Sequence, residues 1–187
     1  DDATGSAPIG FPFIYNGISY TNVVISTNGF ISFDAAPGAG CCTGQLLPNV
    51  STPNNLVALA WEDLNASVGQ ITYYNLTSPD RFVVRYNGVP YLSGGGSVTG
   101  MIILYQTGEV EIHSTSINST SAEVITQGLE FQGGTAGMAG AGRNSADWDA
   151  TNDAYRFTPN SFNISWSPAT LLSASNIANP VFGPATA

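Results

Sequence analysis

TNVVISTNGFISFD, residues 21–34, sets two β-branched and aromatic runs on either side of a single Asn28-Gly29 pair. Val, Ile and Phe suit a pleated, half-buried surface, and Asn-Gly adopts the positive φ values of a tight primed turn. The stretch reads as a β-hairpin that sends Val23, Ile25, Ile31 and Phe33 towards a core. The same pattern recurs along the chain in NLVALAW (55–61), QITYYNL (70–76), RFVVRYNGV (81–89), GMIILYQ (100–106), GEVEIHSTSI (108–117), EVITQGLEF (123–131), AYRFTP (154–159) and FNISW (162–166), between clusters of Gly, Asn, Pro and Ser. No window sustains an apolar repeat of 3.6, so at most one short helix is expected. The predicted fold class is all-β, an antiparallel β-sandwich of jelly-roll or immunoglobulin-like type. Phe13, Ile25, Phe33, Leu59, Trp61, Phe82, Val84, Ile103, Ile112, Leu129 and Phe157 are its expected core. LSGGGSVTG (92–100) and QGGTAGMAGAGRN (132–144) read as glycine-rich connections, because neither leads into a helix that would present amides to an anion.

A chain of 187 residues, 43% hydrophobic, is long enough for one substantial core. Its charge content is unusual: 9% charged residues, four Arg, no Lys and a net charge of -9, against about 25% charged in an average soluble domain. An acidic chain without lysine has little to neutralise phosphates, which excludes nucleic acid and anionic membrane surfaces as natural partners. No run of about 18 apolar residues predicts membrane insertion. Asp1-Asp2 lacks the positive charge that starts a signal peptide, so the chain reads as mature. The surface this composition predicts, rich in Ser, Thr, Asn and Gly, lacks the charge that keeps copies apart and favours self-association. Five Asn-x-Ser/Thr sequons, at Asn49, Asn65, Asn75, Asn118 and Asn163, offer glycans as another way to solubilise it.

Several motifs, in order, carry a resemblance: GFPFIYNG (10–17), STNGFISF (26–33), LAWEDL (59–64), RFV (81–83), GEVEI (108–112) and the closing GRNSADWDATNDAYRFTP (142–159). Together they resemble a β-rich module of large secreted surface proteins of Bacteroidota-type bacteria, adhesin-like or gliding-associated and exported by a type IX route. The likeness covers most of residues 8–159 and implies an extracellular, cell-surface location and a structural or adhesive role. ISWSPATLLSASNIANPVFGPATA (164–187) resembles the first half of the immunoglobulin-like repeats of such proteins, and stops short of the strand that would complete one.

Chemistry-bearing clusters are few. Cys41 and Cys42, the only cysteines, are adjacent, which leaves a vicinal bridge, a bond to another molecule, or two free thiols. An oxidising compartment would favour the disulfide. Structural zinc is not expected, because His113 is the only imidazole. In GEVEIHSTSI, alternation puts Val110 and Ile112 on one strand face and Glu109, Glu111 and His113 on the other, where Glu111 and His113 can share a proton. No G-x-S-x-G motif accompanies them, and the pair reads as a solvated face. Glu62-Asp63 beside Trp61 has the composition of a glycosidase site, but neighbours on a strand point to opposite faces. Asp147, Asp149, Asn152 and Asp153 in DWDATND offer hard oxygens to calcium, without EF-hand spacing, and also suit an ordinary turn. No other cofactor is expected. Tyr91, Trp148 and Tyr155, near loops, are candidates to stack on surface glycans, though aromatics also fill sandwich cores.

The expected division is a β-sandwich domain over residues 1–159 and an extended tail or partial repeat over 160–187. Half a repeat cannot close a core of its own. Its Phe162, Ile164, Trp166, Leu171, Leu172, Ile177, Val181 and Phe182 are too many apolar groups to leave in water. They are therefore expected to assemble with copies of the chain or with neighbouring domains of a parent protein, as in a surface filament. The function expected is non-enzymatic structure or adhesion, with carbohydrate binding as the alternative.

Overall fold

The computed structural model describes residues 2–119 and 123–159. Eleven strands, β1 (Thr4–Tyr15), β2 (Ile18–Ser26), β3 (Phe30–Ser32), β4 (Leu56–Trp61), β5 (Gln70–Leu76), β6 (Arg81–Pro90), β7 (Gly96–Tyr105), β8 (Val110–Ser119), β9 (Thr126–Glu130), β10 (Gly137–Ala139) and β11 (Ala150–Phe157), are joined by turns and one 3-10 turn at Gln132–Gly134. They form two antiparallel sheets, ordered β1-β2-β3-β4-β9-β10 and β11-β8-β7-β6-β5. The fold is thus the all-β sandwich that the alternation predicts.

The sheets face each other across one large cluster that includes Phe13, Phe33, Leu59, Phe82, Val84, Ile112 and Leu129, with Ile25 and Phe157 packed at its margin. Ile103 departs from the expectation. It is buried but lies opposite Glu111, on the other face of β7, while Ile102 and Leu104 enter the core. The run MIILY is apolar throughout, so alternation does not say which of its residues point inwards. Trp61 departs differently: with Phe30, Leu47, Leu56 and Ala58 it forms a second, smaller cluster on the far face of the six-stranded sheet. Residues 34–55 cover that face, so every residue of β4 is buried. A strand covered on both sides reads as a continuous apolar run, which NLVALAW is.

Two strands fall outside the expected set. In β1 the ladder to β2 is interrupted between Pro8 and Phe13, and proline is tolerated because this is an edge strand. β10 arises inside a stretch expected to be only a connection. It lies so close to β9 that a Cβ on Gly128 would stand 2.3 Å from the Met138 carbonyl oxygen.

The opening hairpin forms, but not through a two-residue primed turn. Ile25↔Ile31 is its innermost pair, and of Asn28 and Gly29 only Gly29 has a positive φ, +82°. Asn28 is fully buried: its Oδ1 accepts from the Leu64 amide at 3.1 Å and its Nδ2 donates to Asp2 at 2.7 Å. From the opposite sheet, the Tyr86 hydroxyl donates to the Ser26 carbonyl at 2.7 Å. The turn is a junction between sheets as well as a connection.

Candidate functional site

Glu62 and Asp63 follow β4 directly, where the strand has ended and alternation no longer applies. Both residues therefore line one shallow pocket of about 360 Å³, together with Cys42, Leu92, Ser93 and Glu123. The expectation that they face apart is corrected here. Glu62 is buried and accepts from the Gly44 amide at 3.0 Å. Glu123 accepts the Ser93 hydroxyl, and no arginine lines the pocket. Burial, with smaller contributions from Glu123 and Asp63, pushes the Glu62 carboxyl up to about 7. Burial, and then Asp2, raises Asp63. One Asp63 oxygen is buried with no hydrogen-bond partner among the described residues, as is the hydroxyl of Tyr91. Cys41 and Cys42, beside this pocket, are joined to each other.

Burial likewise pushes Glu130, in β9, up to about 7, with a backbone hydrogen bond from Asn49 opposing it. An acid with a raised folded pKa stabilises the fold fully below its unfolded value and loses that contribution as pH rises through the folded one. The window is therefore 4.5 to about 7 for both residues. Urea unfolding is expected to show higher stability at pH 5 than at pH 8. Each pKa unit corresponds to about 1.4 kcal/mol, and Glu62→Gln with Glu130→Gln should flatten the slope. A stability that rose over this interval would contradict the assignment.

The Glu111–His113 pair forms, at 2.9 Å, on the face opposite buried Val110 and Ile112. Glu111 also accepts the Tyr105 hydroxyl at 3.0 Å and stands 3.5 Å from Arg156, which pairs with Glu109 at 2.8 Å. Burial works upwards on Glu111, but hydrogen bonds from His113 and Tyr105 hold it below the ordinary carboxylate value. Glu111 is the only side-chain hydrogen-bond partner of His113 among the described residues.

The acidic loop is divided among separate partners. Asp149 accepts the Ser119 amide at 2.7 Å, and Asp153 pairs with Arg143. The three carboxylates expected to share calcium, Asp147, Asp149 and Asp153, do not come within 4.8 Å of one another. Arg143 is itself held between the rings of Trp148 and Tyr155, at 4.6 and 5.1 Å. Trp148 and Tyr91 are buried and Tyr155 is half-buried, so the first two do not present the ring faces that a sugar would need. The exposed tyrosines are Tyr73 and Tyr74, with Leu76, on edge strand β5. The sequence of QITYYNL predicts a strand, and nothing in its composition marks it as a sheet edge. Among the sequons, Asn75 and Asn118 are exposed, and Asn49 and Asn65 half-buried. Asn163 and the tail residues Phe162, Ile164, Trp166, Leu171, Leu172, Ile177, Val181 and Phe182 lie outside the described residues.

At the opposite end of β8 and β9 from the acidic pocket is an apolar groove of about 620 Å³, with Ile14, Val110, Leu129, Phe131, Met138 and Phe157 in its lining. Ile14 and Met138 are half-exposed. The groove reaches Thr158 and Pro159, where the described chain ends.

Among known families, the model described as NIDO related matches residues 1–170, and that family consists of extracellular domains. No curated protein and no solved structure matches the chain. No helix among the described residues is long and apolar enough to cross a membrane.

Proposed function

We propose that this chain, which belongs to the NIDO-related family, is a non-enzymatic structural or adhesion module of a cell-surface protein, joined to its neighbours through its C-terminal residues. The observation that carries this reading is the state of edge strand β5. Among the described strands it pairs only with β6, and it exposes Tyr73, Tyr74 and Leu76. Edge strands are usually guarded by lysine, proline or a bulge, and the seven residues of β5, QITYYNL, contain neither Lys nor Pro and pair with β6 without a register shift. Such an edge accepts an extended segment from another chain, which adds backbone hydrogen bonds to side-chain burial. Leu171, Leu172, Ile177, Val181 and Phe182 would supply that segment in short pieces, broken by Pro180 and Pro184. The resemblance to surface modules of Bacteroidota-type bacteria fits a filament or adhesin built this way.

Light scattering and electron microscopy of the full chain test the proposal. The chain is expected to associate, and Leu172→Asp with Ile177→Asp and Phe182→Asp to reduce association while leaving the circular dichroism unchanged. A chain that stays monomeric at high concentration would contradict it. Carbohydrate binding is the second reading, favoured only by the exposed rings of Tyr73 and Tyr74. Binding on a glycan array that Tyr74→Ala abolishes would establish that reading instead.

A further inference from the structure

Four arginines and His113 are all the cationic side chains of this acidic protein. Among the described residues Arg143 pairs with Asp153, Arg156 with Glu109 and Glu111, and His113 meets Glu111. Arg81 and Arg85 pair with no carboxylate: Arg81 donates to the Pro79 carbonyl at 3.1 Å, and Arg85 to the Asn87 side chain at 2.9 Å. Both stand on β6, whose Phe82, Val84 and Tyr86 enter the core, so the two arginines project from the outer face of the five-stranded sheet. Arg85 is exposed there, opposite Thr72 on β5 and Met101 on β7.

The acidic pocket has the opposite shortage. Glu62, Asp63 and Glu123 line it with no cation, and one Asp63 oxygen is buried without a hydrogen-bond partner among the described residues. Tyr91, next to the lining residue Leu92, is only 2% exposed and also has an unpartnered hydroxyl. The charges that act on that hydroxyl are those of Glu123, Asp149, Glu62 and Asp147. Buried polar groups are ordinarily paired within a folded domain, so these oxygens call for a donor from outside it.

Spacing narrows the choice of donor. Carboxylate oxygens that share one metal ion stand within about 5 Å of one another, and those of Glu62, Asp63 and Glu123 do not all come within 4.8 Å. A guanidinium spreads five N–H donors around a rigid plane and reaches acceptors that are further apart. Arg85 does not fill the pocket of its own chain. It lies on the outer face, roughly 16 Å of strand before the end of β6 at Pro90.

We propose that Arg85 of one copy enters the pocket of Glu62, Asp63 and Glu123 on the next, with Arg81 adding charge to the same contact face. The arginine and the pocket lie on different surfaces, so the contact is heterologous and repeats from copy to copy as an open chain. It goes beyond the tail contact proposed above, since it uses the sheet face and not the β5 edge, and it stands without that contact.

The test is sedimentation of the full chain carrying Leu172→Asp, Ile177→Asp and Phe182→Asp, which removes the tail contact. This chain is expected to associate at low salt, and at least about 10-fold more weakly in about 0.5 M salt, where charges near the surface are screened. Arg85→Ala and Asp63→Arg should each leave it monomeric with unchanged circular dichroism. Their equimolar mixture should form a dimer and stop there. Only Arg85 of the Asp63→Arg copy and the intact pocket of the Arg85→Ala copy remain to meet. Association that Arg85→Ala leaves intact, a mixture that stays monomeric, or a tail-substituted chain that is monomeric at low salt would overturn the proposal, the last while leaving the tail contact standing. If instead the tail substitutions change nothing and Arg85→Ala abolishes association, the tail contact falls and this one holds.

Discussion

Gly29→Ala is expected to destabilise the protein by roughly 2–6 kcal/mol, combining a strained backbone with an overpacked contact. Gly29 has φ +82°, a region side chains other than glycine rarely adopt, and a Cβ there would lie 2.1 Å from the Ala60 carbonyl oxygen. The turn cannot back away, because the Gly29 carbonyl accepts from the Leu59 amide at 2.9 Å and Asn28 holds the Leu64 amide. β4, moreover, is buried on both faces. Gly17 is the matched control. It too has a positive φ, +81°, but nothing lies within 4 Å of its Cβ position, so Gly17→Ala should cost only about 1 kcal/mol. Urea unfolding of the two variants compares these directly. Equal losses would mean that the close approach to β4 contributes nothing.

Trp61→Ala is expected to cost about 3–5 kcal/mol, the usual range for deleting a large buried aromatic. Trp61 is fully buried, packs on Phe30 with ring centroids 5.1 Å apart, and donates Nε1–H to the Gly40 carbonyl at 2.7 Å. Because it lies beneath residues 34–55 and not between the sheets, its loss should also open that segment to limited proteolysis. Phe82→Ala, in the inter-sheet core, should cost a similar amount without selective cleavage there. Trp61→Phe retains most of the ring and should lose about 1 kcal/mol for the hydrogen bond. Identical proteolysis patterns for Trp61→Ala and Phe82→Ala would remove the distinction between the two clusters.

How far each feature was legible follows from its range along the chain. GEVEIH alternates cleanly, so its inner Val110 and Ile112, and the Glu111–His113 pair outside, follow from two-residue periodicity alone, whereas beyond Ser114 a register shift against β7 brings Ile117 back into the core. MIILY does not alternate, and there Ile103 was expected in the place Ile102 occupies. Glu62 and Asp63 were expected to diverge because strand geometry was carried two residues beyond the end of β4. Glu123 was unmarked, since nothing local to EVITQGLEF says that its first residue meets Glu62.

By itself, then, the sequence determined the all-β class and most of the described strands, because backbone period and turn chemistry act over a few residues. Only the tertiary structure decided what those strands enclose. It buried Asn28 as a junction between sheets, put Trp61 in a second core, took Tyr91 and Trp148 from the surface, and collected Glu62, Asp63 and Glu123 into one pocket. Each of these depends on which distant loop folds over which face, and that is settled by the global packing of apolar area and the pairing of buried polar groups, not by any neighbouring residue.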